Sequence, residues 1–124
     1  MEATFNSDEK LLRVVSPVEI FWKDGKTTSA CFKDKKGLSV NRTWCDKSVE
    51  AIEQLESVFP SSSRKAIISI KYAQCIELNI LVKYLPLPDN VFHSELHRDN
   101  NSPMLSQSQC KGLSRLCVIE KEYA

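Results

Sequence analysis

Over the first forty residues, apolar and polar positions alternate in short spans separated by turn-forming residues. Lys10 to Val15 reads as a strand carrying Leu11, Leu12, Val14 and Val15. Ser16-Pro17 ends it, because proline donates no ladder hydrogen bond. Glu19 to Trp22 and Thr27 to Phe32 flank Asp24-Gly25. Asp-Gly between β-prone segments predicts a hairpin, since a type I′ turn requires positive φ at both central positions. Gly37 then breaks the chain before a further short strand, Leu38-Ser39-Val40. From Ser48 to Phe59 the period lengthens to nearly four. Val49, Ile52, Leu55 and Phe59 fall on one helical face, with Glu50, Glu53, Gln54 and Glu56 on the other. Asp46 or Ser48 is placed to cap this helix and Pro60 to stop it.

Alternation then returns. Ile68, Ile70 and Tyr72 share one side of 66–72, and Ile80, Val82 and Tyr84 share one side of 80–84. Ala73 to Leu78 reads equally as a helical turn capped by Asn79, which tolerates a left-handed conformation, or as continued strand. Pro86-Leu87-Pro88-Asp89-Asn90 is a turn, and Val91 to Leu96 is a last strand. Ser102-Pro103 has the form of a helix cap followed by proline at the first helical position. Leu105, Leu113, Leu116 and Cys117 fit one face of that helix, interrupted by Gly112. Early strands with interspersed helices and no regular βαβ alternation predict α+β: a small mixed or antiparallel sheet, a central helix and a C-terminal helix. A chain of 124 residues is one domain's worth. The polar, acidic residues 1–9 are assigned to a flexible N-terminal segment ahead of a single domain over 10–124.

Composition narrows the function classes. Seventeen basic and sixteen acidic side chains leave a formal charge of +1, whereas nucleic-acid modules usually carry a clear basic surplus. Another protein is therefore the expected partner rather than nucleic acid. The clusters Lys33, Lys35, Lys36 and Arg64, Lys65 read as solvated turns. No apolar run approaches the ~20 residues of a membrane helix, and Met1 to Glu9 lacks the pattern of a secretory signal. A cytoplasmic protein without a membrane partner is expected. The five cysteines are odd in number and form no CxxC pair, which predicts reduced thiols and no metal site.

Arg13, Ser29, Ser39, His93 and His97 are the polar residues most suited to chemistry. Arg13 lies in an otherwise apolar strand, so its guanidinium must reach a sheet edge, a carboxylate or an anionic ligand; a structural carboxylate pair is the plainest of these. His93 follows a turn whose prolines restrict the backbone, which fixes the imidazole as a proton carrier or as a hydrogen-bond partner of the turn. His93 and His97 are four apart, but a metal pair at that spacing needs a helix. Ser29 has no Gly-x-Ser-x-Gly elbow to expose it, so it reads as a turn hydroxyl or a bare nucleophile. Gly25, Gly37 and Gly112 belong to no phosphate loop, and no cofactor is expected.

The order Leu12-Arg13, Thr28-Ser29-Ala30-Cys31-Phe32, Leu38-Ser39-Val40 and Pro86 to His93 resembles a widespread family of small uncharacterised bacterial proteins. Its pattern runs R…SSxxF…LSV…PxxxNPxH, with a helical C-terminus. The resemblance covers residues 10–118 and implies a bacterial, cytosolic protein without assigning an activity. The chain departs from it in Val91, where proline is frequent, and in Asn79, where glycine is frequent. Two functions follow. The first is an interaction or accessory protein acting with larger partner proteins, with Phe21, Trp22 and Trp44 as contact anchors. The second is a small enzyme or nucleotide-binding protein in which Arg13 holds a phosphate, Ser29 and Ser39 orient it and His93 moves a proton, as in ADP-ribosyl transfer or RNA cleavage.

Overall fold

A computed structural model describes residues 4–123. The chain runs through β1 (Lys10–Val15), β2 (Trp22–Lys23), β3 (Lys26–Thr27), a 3-10 turn (Ser29–Phe32), β4 (Leu38–Arg42) and α1 (Ser48–Val58). It continues through β5 (Ala66–Lys71), α2 (Tyr72–Glu77), β6 (Leu81–Tyr84), β7 (His93–His97), α3 (Gln107–Leu116) and β8 (Val118–Glu122). Six strands form one antiparallel sheet in the order β6-β7-β4-β1-β5-β8, and β2 and β3 form a separate hairpin. The fold is α+β, as the residue pattern predicts.

Local chemistry explains where elements start and stop. Asp24 and Gly25 carry φ of 55° and 77°, the left-handed pair a tight hairpin turn needs. The second arm does not continue as a strand. The Thr28 hydroxyl donates to the Ile20 carbonyl, and the chain tightens into the 3-10 turn that buries Cys31 and Phe32. Ser29 thus begins a helical turn instead of preceding a strand. Asn79, at φ 59°, closes the turn after α2, so residues 73–77 are helical.

Both long helices differ in detail from their expected form. α1 buries Ala51 and Leu55, whereas Val49 is 66% and Phe59 40% exposed. The helix lies on Leu12 and Ile67 of the sheet, which turns the 51/52/55 stripe inward and leaves Val49 outside. Its N-cap is Lys47 without a side-chain cap, so neither Asp46 nor Ser48 fills that role. α3 starts four residues later than Ser102-Pro103 suggests. There the Ser106 hydroxyl accepts from the Gln109 amide at 3.2 Å and the Ser106 amide donates to Gln109 Oε1 at 2.8 Å, a capping box. Gly112 is no interruption: a Cβ there would lie 2.4 Å from Leu78 Cδ2, so glycine lets α3 seat against the end of α2. The chain after α3 returns as β8 on the edge of the sheet, beside β5.

The sheet is covered on both faces. Leu11, Phe32, Leu38, Ile68, Leu96, Cys110 and Leu113 form the larger core, and Leu12, Ala51, Leu55 and Ile67 the smaller one under α1. Residues 4–9, assigned from composition to a flexible segment, contribute to the packed body. Phe5 stacks on Tyr72 at 5.0 Å, and Glu9 is fully buried. Glu9 forms a two-pronged ion pair with Arg42, Nε to Oε2 at 2.9 Å and Nη2 to Oε1 at 3.0 Å. The Arg42 guanidinium lies within 4.8 Å of the Phe5, Trp44 and Tyr84 ring centroids. All five cysteines are free thiols.

Candidate functional site

A cavity of about 420 Å³ opens where two central strands part. β1 and β4 are in register at Leu11↔Arg42 and Leu12↔Asn41, and their pairing ends there. Arg13 to Val15 remain paired with β5 but have no ladder partner in β4. The Arg13 guanidinium bridges the opening seam: Nη1 donates to the Ser39 carbonyl at 2.9 Å and Nε to the Cys31 carbonyl at 3.2 Å. The side chain therefore satisfies a backbone acceptor that a continued ladder would have satisfied. No carboxylate among the described residues lies within ion-pair distance of Arg13. The structural carboxylate pair expected for it is replaced by two neutral carbonyls.

Alternation along the strands builds the opposite wall. Leu12, Asn41 and His93 stand in one row across β1, β4 and β7, and Ser39 and Glu95 in the next, so all point to the face that carries α1. Asn41 is held rigidly: its amide donates to the Ala51 carbonyl at 3.1 Å and to Gln54 Oε1 at 2.8 Å, and its oxygen accepts from Asn90 at 2.9 Å. Arg13, Ser39, Asn41, Gln54, Asn90 and His93 all line the cavity, while Phe21, Val58 and Phe59 supply apolar wall.

His93 is oriented by its own strand. Positions 93, 95 and 97 share a face, and Glu95 receives both rings, His93 Nε2 at Oε2 (3.2 Å) and His97 Nε2 at Oε1 (2.9 Å). Gly37 packs against His97 and Glu95, since a Cβ there would stand 2.6 Å from His97 Nε2 and 3.1 Å from Glu95 Oε1. Burial pushes the Glu95 carboxyl up, but the hydrogen bonds and electrostatic pull of His97 and His93 outweigh it and hold it below its ordinary value. An ionised carboxylate only accepts, so both Nε2 atoms carry hydrogens. In the neutral ring, Nδ1 of His93 is then the free base, the arrangement by which a carboxylate selects a histidine tautomer.

The electrostatics of the cavity run one way. Among its described lining residues Arg13 is the one permanently charged group, and none is Asp or Glu. Burial lowers the Arg13 pKa from its ordinary value, and the electrostatic influence of Cys31 and Asp34 opposes that; a guanidinium remains a cation throughout the physiological range. The Cys31 thiol, also in the lining, is pushed up to about 12 by burial, which removes it as a nucleophile at neutral pH.

Arg13, Ser39 and His93 thus line one cavity, and Ser29 does not. Ser29 lies in a separate notch with Lys26, Lys111, Ser114 and Arg115. Asn41, Gln54 and Asn90 carried no local signal in the sequence, because their role depends on α1 crossing β4. Among the described residues, no three His, Cys, Asp or Glu side chains group as metal ligands, and no helix is long and apolar enough to cross a membrane. Comparison with protein-family models, curated proteins and solved structures finds no match to this chain.

Proposed function

We propose that the cavity binds a phosphorylated, ring-bearing ligand of the nucleotide class and that His93 is its acid–base group. One observation carries this: a half-buried arginine without a carboxylate partner lines a cavity whose described residues include no acid. A cation paired only with neutral carbonyls keeps charge available for an anion, and charge-assisted bonds of this kind are about twice as strong as neutral ones. Phe21, Val58 and Phe59 suit the apolar faces of a base and sugar.

Of the two chemistries compatible with this set, RNA cleavage is the better supported. ADP-ribosyl transfer develops positive charge on the ribose, and the lining offers no carboxylate to stabilise it. In cleavage, His93 Nδ1 takes the proton of a ribose 2′-hydroxyl as O2′ bonds to phosphorus and the P–O5′ bond breaks. The leaving oxygen takes a proton from water, and the imidazolium neutralises the hydroxide. Arg13 offsets charge gathering on the phosphoryl oxygens. The accessory-protein reading has less support, because its anchors are engaged within the fold: Trp44 packs on Arg42, Tyr84 and Phe92, and Phe21 and Trp22 are partly buried against the larger core.

Calorimetric titration with nucleoside monophosphates tests the binding claim. Saturable binding to the native protein, weakened at least about tenfold in Arg13→Gln as loss of a charged hydrogen bond requires, is the expected result. Equal binding by both proteins, or none by either, contradicts it.

A further inference from the structure

We infer that the notch around Ser29 is a second anion site, which contacts the backbone phosphates of a single-stranded nucleic acid. Lys26 at the start of β3, Lys111 and Arg115 on α3, and the hydroxyls of Ser29 and Ser114 surround a recess of about 350 Å³. The three cations are exposed, and none is within ion-pair distance of a carboxylate among the described residues. Lys10, Lys65 and Lys121 are matched, with Glu120, Glu122 and Glu56. Other surface lysines such as Lys23 and Lys83 are unmatched too among the described residues, but these three cations share one recess with hydroxyls. In a chain with a net charge of only +1, three unmatched cations around one recess make a local positive field. The Ser114 hydroxyl donates to the Thr27 carbonyl at 3.1 Å; the Ser29 hydroxyl makes no hydrogen bond among the described residues and is left to donate outward.

Cations with a free hydroxyl are the set that grips phosphate oxygens without reading a base. The described lining of the notch contains no apolar residue, which disfavours a lipid surface, where basic side chains work beside buried apolar ones. Ser29 and Cys31 lie on the same 3-10 turn, the first in the notch and the second in the Arg13 cavity. A phosphate chain engaging both places gains by effective concentration over a single nucleotide. The identity of the polymer as RNA rests on the reading of the cavity given above; the anion site itself does not.

Anisotropy titrations of a labelled single-stranded RNA decamer and its DNA counterpart test this, comparing the native chain with Lys111→Glu/Arg115→Glu. Both positions are exposed on α3, and an unchanged Tm verifies the fold. The native protein binds the RNA decamer with log K falling against log salt with a slope of about −2, from about 0.7 per phosphate contact in a single strand. The double variant loses at least about tenfold in affinity and flattens that slope, while its nucleoside monophosphate binding is unchanged. Decamer binding that survives the double substitution, or no decamer binding, overturns the proposal, as does capture of a phosphoserine peptide in place of the decamer. If the decamer binds through these residues while no monophosphate binds, the notch stands and the cavity reading fails. Equal affinity for the DNA decamer keeps the phosphate site and removes RNA as its specific partner.

Discussion

Two arginines point to the same face of the central sheet and meet opposite fates. Arg42 on β4 is fully buried, held by both oxygens of Glu9 and surrounded by Phe5, Trp44 and Tyr84. Arg13 on the neighbouring strand is held by two backbone carbonyls and borders open space. The first has its charge cancelled inside the fold, so it contributes to structure and offers nothing to a ligand. The second has its geometry fixed but its charge uncancelled. The two differ in exposure and in acceptor, Arg42 being sealed against a carboxylate and Arg13 half-buried against neutral carbonyls, and on the proposed reading that difference is what leaves Arg13 available to a ligand.

The largest effect that sharpens this contrast is on the Glu9 side. Glu9→Ala leaves Arg42 buried without its carboxylate, and breaking one partner of a buried pair costs about 3–5 kcal/mol. Denaturant unfolding should register that loss. Arg13→Met removes two donors to carbonyls and retains the apolar stem, so the expected cost is smaller, about 1–3 kcal/mol. Its distinguishing mark lies elsewhere: the native protein gains about 2.7 kcal/mol at a ligand concentration of one hundred times Kd, and the Arg13 variant should lose that gain. If Arg13→Met unfolds the chain as readily as Glu9→Ala does, both arginines are structural and the contrast collapses.

The smallest effect concerns Glu95. Its folded pKa lies below the ordinary 4.5, so its contribution to stability is present above that value and is lost as pH falls through the folded one. Glu95→Gln should lower stability at neutral pH and give a shallower decline under acid than the native chain. An unchanged acid profile would show that the two imidazole contacts contribute nothing to the native state.

Periodicity made most strands and α1 legible, since each depends on a local pattern of side chains. It placed Ser29 beside a strand because Ala30, Cys31 and Phe32 look β-prone, whereas they form a 3-10 turn closed by the Cys31 amide on the Thr28 carbonyl and the Lys33 amide on the Ala30 carbonyl. It set the buried face of α1 through Val49, because amphipathic spacing does not say which side of a broad stripe meets Leu12 and Ile67. Arg13 stood out as a polar residue in an apolar strand, and His93 as one fixed by a proline turn; both line the cavity. Their common location was not legible, because it arises from β1 and β4 parting after Leu12. The same holds for Lys26, Lys111 and Arg115, which are far apart in sequence and meet only when α3 packs beside the hairpin. A net charge near zero concealed them.

The claim that Arg13 is the ligand-binding arginine and Arg42 the structural one can be read in a single titration. In 15N-correlated spectra the Nε–H resonances of the two arginines are followed as a nucleoside monophosphate is added, with assignments fixed by Arg13→Met. The account predicts that the Arg13 signal moves in a saturable way, together with the His93 ring signals, while the Arg42 signal stays in place. A stationary Arg13 signal at saturating ligand, or movement of Arg42 in its stead, would contradict it.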